Sequence, residues 1–289
     1  MPTHVEVKSA LDLGEPSKEL LCWAEENIRE DPNTRCQILD DFREMIYSRG
    51  ECTPVRIDDS FLLRFLRSRK FVLESAYKLF LNYHDDLRDE NSAYIHGVGF
   101  ELLEKIGDND LIIVPPYRDQ TGKRILLYKL GNWIPESVTI DEILAATQLI
   151  LELAILEERA QILGGICIID CENITMQHAL HMTPSVARKV VQVAVTSHPM
   201  RLEAMHIVNN SWAFEMFFNF FKPLLRGKMM ERLYFHGTDM ESLHKHVDPK
   251  NLPQKYGGCQ PFYDYRDWIR GFRKDKTIIE ELKSLGYKV

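Results

Sequence analysis

The chain has 289 residues, of which 45% are hydrophobic and 27% charged, as in an ordinary globular protein. Its formal net charge of −7 excludes a general attraction to nucleic acid or to anionic membranes, so any contact with an anion must be local. No apolar run reaches the roughly 18 residues that a membrane span requires, and no secretory signal pattern is present, so we expect a cytoplasmic protein without a transmembrane segment.

Residues 1–92 carry helical periodicity and predict an all-helical N-terminal domain. In each predicted helix, apolar side chains three or four positions apart form one face. These faces contain Leu20, Ala24 and Ile28; Ile38, Leu39, Phe42 and Ile46; Phe61, Leu62, Phe65 and Leu66; and Leu73, Ala76, Tyr77 and Phe80. The third helix, capped by Asp58 or Asp59, also carries a basic face with Arg64, Arg67, Arg69 and Lys70. Solvated or ion-paired charge is the favoured interpretation of that face, and a dedicated anion site is the alternative.

From residue 111 the pattern changes to short β-rich runs separated by helical stretches. Strands are predicted at 111–114, 125–130, 166–169, 205–208 and 233–235, and helices at 140–161, 184–196 and 211–231. Strand–helix–strand alternation indicates a largely parallel sheet, whereas a turn signal at 119–122 favours an antiparallel first pair. We therefore expect an α/β fold, in which a mixed, largely parallel five-stranded sheet with flanking helices occupies residues 93–262. A partly helical C-terminal tail follows at 263–289.

The segment from Trp212 to Leu225 has an apolar face far wider than packing on one core requires. Only Glu215, Asn219 and Lys222 form its polar stripe. Either this helix is buried on nearly all sides, or one face covers an apolar cavity while the other contacts something apolar outside the protein. Soft side chains such as Met176, Met182, Met200 and Met205 suit a pocket for an irregular hydrocarbon, but they suit a loosely specified core equally well.

Sequence signatures of common enzymes and metal sites are missing from the chain, including GxSxG, GxGxxG, HExxH and the Walker loop. His178, His181, His244 and His246 have possible metal spacings, but no matching set of cysteines or carboxylates completes a site, so we expect no metal or other cofactor. Asp170, at the end of a predicted strand, is a candidate catalytic carboxylate, although a structural aspartate is the favoured interpretation. We therefore predict that the protein is not an enzyme.

Residues 59–71, DSFLLRFLRSRKF, resemble the N-terminal helical signature of the CRAL-TRIO (Sec14-like) lipid-binding family. The resemblance continues, in order, through 164–170, 182–187, 206–209, 221–224, 235–237 and 252–258. It is strongest to the branch that contains the α-tocopherol transfer protein and the cellular retinaldehyde-binding protein. This resemblance implies a helical domain, an α/β domain that encloses one hydrophobic ligand, and a mobile lid helix that closes the pocket and meets the membrane on opening.

The resemblance also implies three groups of site residues. The ligand pocket would contain Leu144, Leu151, Ile166, Ile169, Ile174, Met182, Val190, Val193, Ala194, Met200 and Met205. The lid would contain Trp212, Phe214, Phe217, Phe218, Phe221 and Leu225. Phosphoinositide headgroups would contact Arg201, Lys228 and Arg232, and Glu203 stands where the branch places a fourth cation. Solvated surface charge is the alternative interpretation of these cations.

The function implied is non-enzymatic binding and transfer of a small lipophile, such as a tocopherol, retinoid or carotenoid, to or from phosphoinositide-containing membranes. Such a protein would be cytoplasmic and only transiently peripheral at membranes, with no nucleic-acid partner. Phospholipid exchange is one alternative, although Met200 stands where phosphatidylinositol carriers place a glutamate. A lipid-gated module that presents the face from Arg64 to Lys70 to a protein partner is another, and an enzyme that acts on the bound lipid through Asp170 is a third.

Overall fold

Amphipathic helices form the N-terminal part of the chain, as predicted. In the computed structural model, which describes residues 11–225, 227–261 and 263–289, these are α1 (Lys18–Ile28), α2 (Arg35–Arg49), α3 (Asp59–Ser68) and α4 (Leu73–Asn82). The π-helix Tyr83–Glu90 follows α4. The side chain of Asp58 caps α3 by accepting a hydrogen bond from the Phe61 amide at 3.1 Å. The predicted apolar faces of α2, α3 and α4 are turned inward and pack in one core, whereas the face of α1 packs with Ile162 and Leu163 in a separate cluster.

A five-stranded mixed sheet forms the second layer, with the strands in sequence order. The strands are β1 (Ile112–Ile113), β2 (Arg124–Lys129), β3 (Gly165–Asp170), β4 (Leu202–Val208) and β5 (Leu233–Gly237). β1 pairs antiparallel with β2, and the remaining neighbours pair parallel, which confirms the predicted topology. The turn before β2 is held by Asp119, whose carboxylate accepts hydrogen bonds from the amides of Thr121 and Lys123 at 2.9 and 2.7 Å.

Further helices flank the sheet and complete the core. They are α5 (Phe100–Asp108), α6 (Ile140–Ile155), α7 (Glu158–Leu163), α8 (Met176–His181), α9 (Pro184–Val191), α10 (Trp212–Phe221), α11 (Met240–His244), α12 (Tyr265–Phe272) and α13 (Lys276–Ser284). α9 continues as the π-helix Gln192–Thr196. Short 3₁₀ helices lie at Ser92–Tyr94, Leu130–Asn132, Gly227–Arg232, Pro249–Asn251 and Gln254–Tyr256. Trp268, Phe272 and Leu282 of the C-terminal helices are buried in the same core as the N-terminal helices.

The long helix predicted at 140–161 is instead two helices, because the backbone becomes extended at Glu157. This break directs the buried Glu157 carboxylate toward β2, where it accepts hydrogen bonds from Arg124 Nε at 3.0 Å and Arg118 Nη2 at 2.9 Å. A continuous helix would carry this side chain elsewhere. The ion cluster therefore overrides the helical propensity of the surrounding residues.

The helix predicted from 211 to about 231 is also shorter than expected. α10 ends at Phe221, two residues before Pro223, which has no backbone N–H to continue the helical hydrogen bonds. Lys228 and Arg232 lie in the separate 3₁₀ helix Gly227–Arg232. These two residues therefore lie outside α10.

Candidate functional site

A cavity of about 210 Å³ lies between one face of the sheet and helices α6, α9 and α10. From the strands, it is lined by Tyr128 of β2, Cys167 and Ile169 of β3, and Met205 and Ile207 of β4. These residues recur every second position, so they share one face of the sheet. The remaining lining residues are Leu130, Trp133, Ile140, Ile143, Leu144, Thr147, Met182, Val190, Val191, Ala194, Val195, Phe214, Phe218, Phe221 and Leu225.

The structure brings part of the predicted pocket set together at this cavity, namely Leu144, Ile169, Met182, Val190, Ala194 and Met205. Ile166 does not line it, because it lies an odd number of positions from Ile169 and packs on the opposite face of the sheet. Leu151 lies beyond Thr147, the last residue of α6 that reaches the cavity.

The other predicted pocket residues also lie outside the cavity lining. Val193 is fully buried in the main core, and its carbonyl accepts a hydrogen bond from Gln148 Nε2 at 2.8 Å. Ile174 packs against Ala213 beneath the start of α10. Met200 is half-buried in the loop before β4.

Several lining residues were missed from the sequence although a signal for them exists. Strand alternation places Cys167 with Ile169 and Ile207 with Met205. Tyr128 is the register partner of Ile169 on the neighbouring strand, which a parallel pairing at this register predicts. Trp133 lies in the loop after β2 and carries no comparable periodic signal.

The polar atoms around the cavity are bonded to one another or to the backbone. Tyr128 Oη and Thr147 Oγ1 are 2.9 Å apart, and Thr147 Oγ1 donates to the Ile143 carbonyl at 2.8 Å. Trp133 Nε1 donates to the Val138 carbonyl at 2.7 Å. Carbon and sulfur atoms therefore form almost the whole surface of the cavity.

The cavity is also electrically neutral. None of its described lining residues carries a formal charge. Burial raises the pKa of the Tyr128 hydroxyl well above its ordinary value, and it raises the pKa of the Cys167 thiol to about 12. Both groups are therefore protonated near neutral pH.

Helix α10 has two apolar sides. Phe214, Phe218 and Phe221 line the cavity, and Leu225 joins them just beyond the helix. Phe218 packs against Phe235 of β5, with ring centroids 5.2 Å apart in an edge-to-face arrangement. The inward residues therefore tie the helix to the sheet and close the cavity.

The outward side of α10 is a stripe of residues four positions apart. Trp212 is 65% exposed, Met216 45% and Phe220 38%. Trp212 is therefore an outward residue, unlike the other described members of the predicted lid set. The side chain of Phe217 lies outside the described part of the structure. Of the two interpretations of this segment, the described residues fit the helix with an apolar cavity on one side and an exposed apolar surface on the other.

Arg201 is an internal residue, only 5% exposed. Its guanidinium forms an ion pair with Glu203 and donates to the Ile162 carbonyl at 2.5 Å and to the Arg67 carbonyl at 3.3 Å. It thus connects the sheet to the N-terminal helices. Arg201 does not present a free cation to solvent, and Glu203, which replaces a cation of the related branch, is its partner.

Arg232 lies beside a basic residue that the predicted headgroup set omitted, Arg69 at the end of α3. The pKa of Arg69 is lowered by its burial and, to a smaller extent, by the charge of Arg232. Arg69 Nη1 donates to Ser68 Oγ at 2.9 Å, and Arg232 Nη1 donates to the Leu202 carbonyl at 2.5 Å. Within the described part of the chain, neither guanidinium forms an ion pair with a carboxylate. The side chain of Lys228 lies outside the described residues.

Two other arginines of the basic face of α3 are ion-paired, and Lys70 is exposed; ion-paired and solvated charge were both part of the favoured interpretation. Arg67, 1% exposed, forms ion pairs with Glu30 at 2.7 Å and Glu158 at 2.8 Å. Arg64 is buried beside Glu281 at 3.3 Å. These arginines therefore stabilise the packing of α3 and are not presented to a partner.

Asp170 is a buried structural residue, as favoured from the sequence. Its carboxylate accepts hydrogen bonds from Asn209 Nδ2 at 2.9 Å and Tyr256 Oη at 2.8 Å, and it forms an ion pair with Lys255 at 2.8 Å. It does not line the cavity. Among the described residues, no group of histidines, cysteines and acids is arranged to hold a metal ion, and no helix has the length and apolarity that crossing a membrane requires.

Comparison with known proteins agrees with this architecture. The family model of the CRAL/TRIO domain matches residues 108–258, and that of the CRAL/TRIO N-terminal domain matches residues 13–82. The alpha-tocopherol transfer protein-like protein of Mus musculus is 31% identical over 252 residues, which cover 87% of this chain and 73% of that protein. Clavesin-1 of Xenopus laevis is 33% identical over 249 residues, or 84% of this chain and 74% of the relative.

Among solved structures, that of Sfh5 is similar at a TM-score of 0.49 and 13% identity, over 86% of this chain and 99% of Sfh5. The two family models together match most of the described chain, and the relatives exceed 30% identity over most of their length. The chain belongs to the CRAL/TRIO domain family of lipid-binding and lipid-transfer proteins.

Proposed function

We propose that the protein is a non-enzymatic carrier that holds one small lipophile in the cavity and exchanges it at phosphoinositide-containing membranes. The observation that carries this proposal is the pairing of a neutral apolar cavity with a helix, α10, that is apolar on both sides. A helix that only filled the core would not expose Trp212, Met216 and Phe220.

Ligand entry requires α10 to act as a lid. The cavity of about 210 Å³ is smaller than the ~300–1,000 Å³ usual for ligand pockets. A molecule the size of a tocopherol, retinoid or carotenoid therefore needs α10 to move outward. Movement that separates Phe218 from Phe235 would expose the inner phenylalanines, and an adjacent bilayer would compensate for that exposure.

Membrane contact would combine the outward stripe of α10 with the cations Arg69 and Arg232. The segment Gly227–Arg232 follows α10 closely in the chain, and each cation near an anionic leaflet contributes ~1 kcal/mol. Since the net charge of −7 opposes general binding to anionic membranes, the aromatic side chains would supply much of the affinity.

The alternatives fit the described structure less well. A phospholipid enclosed with its headgroup would bring charge into a cavity that offers no charged partner, which is unfavourable. A protein partner could not bind the basic face of α3 through Arg64 and Arg67, because both side chains are buried in ion pairs.

The direct test is extraction of the full-length protein followed by mass spectrometry. We expect one lipophile per chain after incubation with a tissue lipid extract. Val190→Phe, which fills the cavity from α9, should abolish loading, whereas Arg188→Phe, exposed on the same helix, should load normally. Recovery of no lipid from the unmodified protein under any loading condition would overturn the carrier assignment.

A further inference from the structure

Among the described side chains around the cavity, almost no polar atom is exposed to a ligand, and the only uncommitted donor is the weak Cys167 thiol. Thr147 can donate only one proton, and its hydroxyl lies 2.8 Å from the Ile143 carbonyl. With that proton committed, the hydrogen bond between Tyr128 and Thr147 uses the proton of Tyr128. The buried side-chain atoms that lack a partner belong to other residues, none of which lines the cavity: Arg64, Gln148, Glu152, His198, Ser211, Tyr263 and Tyr287.

We propose that the cavity accepts an uninterrupted hydrocarbon or polyene segment and excludes hydroxyl and carbonyl groups from its interior. A polar end of the cargo, where it has one, would stay at the mouth of the cavity. This inference rests on the proposed carrier function and narrows it to a class of ligand: neutral lipids whose enclosed part is pure hydrocarbon.

The reason is the cost of removing a polar group from water without a new partner. A buried hydroxyl that finds no hydrogen bond weakens binding by about 5- to 150-fold. To receive a ligand carbonyl, Tyr128 must give up its bond to Thr147, so one hydrogen bond replaces another and nothing is gained. The Cys167 thiol is only a weak donor.

The apolar part of the lining suits a hydrocarbon of irregular shape. Met182 and Met205 are flexible and polarisable, so they can adjust to a chain or polyene that a rigid wall would reject. The volume of about 210 Å³ leaves room for a segment of hydrocarbon chain.

The test uses two alcohols of the same composition, decan-1-ol and decan-5-ol, which displace the neutral fluorophore N-phenyl-1-naphthylamine from the full-length protein. Decan-1-ol can leave its hydroxyl at the mouth, whereas decan-5-ol must carry it inside. We expect decan-1-ol to bind at least about fivefold more tightly, and undecane to match or exceed decan-1-ol once affinities are corrected for water–hexadecane partition.

Tyr128→Phe provides the matched control, because it removes one hydroxyl next to the cavity and keeps the side chain's approximate shape; it should keep the decan-1-ol to decan-5-ol ratio within about twofold of the unmodified protein. Thr147→Val should instead lower this ratio, because it leaves the Tyr128 hydroxyl free to donate to decan-5-ol. Equal binding of the two alcohols, or a loss on Tyr128→Phe confined to the alcohols, would overturn the inference and leave the carrier function standing. Failure of the fluorophore and of all three displacing probes to bind would instead overturn the carrier function itself.

Discussion

The two faces of the central sheet carry the same kinds of apolar side chain, yet they meet very different surroundings. On one face, Ile125, Leu127 and Ile168 are at most 2% exposed and pack against Leu243 and Tyr256. On the other face, alternate residues of the same strands border the cavity beneath α10. The strand residues do not decide which face is filled. What decides it is the element that covers each face.

The packed face is covered by side chains that are held in place, while the cavity face is covered by a helix that is apolar on both sides. Tyr256, in the cover of the packed face, donates to Asp170 at 2.8 Å. No comparable hydrogen bond from the described α10 side chains to the sheet is present; α10 is held to β5 by aromatic contacts such as Phe218 with Phe235. The difference supports a static cover on one side and a movable one on the other.

The difference in packing between the two faces can be tested with the same substitution at two adjacent positions of β3. Ile168→Ala on the packed face should lower the free energy of unfolding by about 3–4 kcal/mol, because it opens a new void in a filled region. Ile169→Ala on the cavity face should cost only about 1–2 kcal/mol, because that side chain already borders empty space. Equilibrium urea unfolding measures both values. Equal losses would mean that the cavity is absent in solution.

A second pair separates the two sides of α10. Trp212→Ala with Phe220→Ala should lower partitioning onto neutral phosphatidylcholine vesicles by about 10- to 100-fold and leave ligand loading intact, because both side chains are exposed. Phe218→Ala should instead weaken loading, because that ring lines the cavity. Vesicle sedimentation and native mass spectrometry provide the two measurements. If both variants lost vesicle binding and ligand loading to the same extent, the two sides of α10 would not have separate roles.

Low pH should destabilise the packed face of the sheet. His206 of β4 lies there, 3.0 Å from His236 Nε2 and with its ring 5.1 Å from His246 and 5.2 Å from Tyr234. Burial first, and then the charges of His236 and His246, lower the pKa of His206 from 6.5 to about 3.

Between pH 6.5 and about 3 the unfolded chain therefore binds a proton at His206 that the folded chain does not, so stability falls as the pH falls. At pH 5 the loss from this group is about 2 kcal/mol. Urea unfolding at pH 7 and pH 5 should show this slope, and His206→Gln should flatten it. An unchanged slope in the variant would assign the acid sensitivity to other groups.

Much of the fold follows from sequence periodicity, and part of the cavity does. The buried faces of α1 to α4 could be predicted because apolar spacing records which side of an element is covered. The largely parallel sheet could be predicted from strand–helix–strand alternation. Ile166 could not be placed correctly from hydrophobicity alone, but the alternation of β3 would have separated it from Ile169.

The local sequence pattern does not reveal polar contacts between residues that are far apart in the chain. At the break, Glu157 pairs with Arg124, which is 33 positions away, and the buried Arg201 donates to the carbonyls of Ile162 and Arg67, which are 39 and 134 positions away. The sequence alone does not show whether a basic residue pairs with a carboxylate inside the protein or with an anion outside it. Only the three-dimensional contacts distinguish Arg201 from Arg69 and Arg232.

That distinction leads to the smallest expected effect per substituted residue. Arg69→Ala with Arg232→Ala should weaken binding to vesicles that contain phosphoinositide by about fivefold per cation, since each contributes ~1 kcal/mol at an anionic surface. The difference from the unmodified protein should disappear in about 1 M salt, where the screening length is about 3 Å. Ligand loading should not change, because neither residue lines the cavity.

Arg201→Ala is the matched control for that pair. Its guanidinium is already bonded to Glu203 and to two carbonyls, so its loss should lower the free energy of unfolding by about 1–3 kcal/mol without altering vesicle binding of the folded protein. A salt-dependent loss of vesicle binding in Arg201→Ala as large as that in the Arg69 and Arg232 variant would mean that Arg201 leaves its internal partners at the membrane. The cation set first predicted from the sequence would then stand.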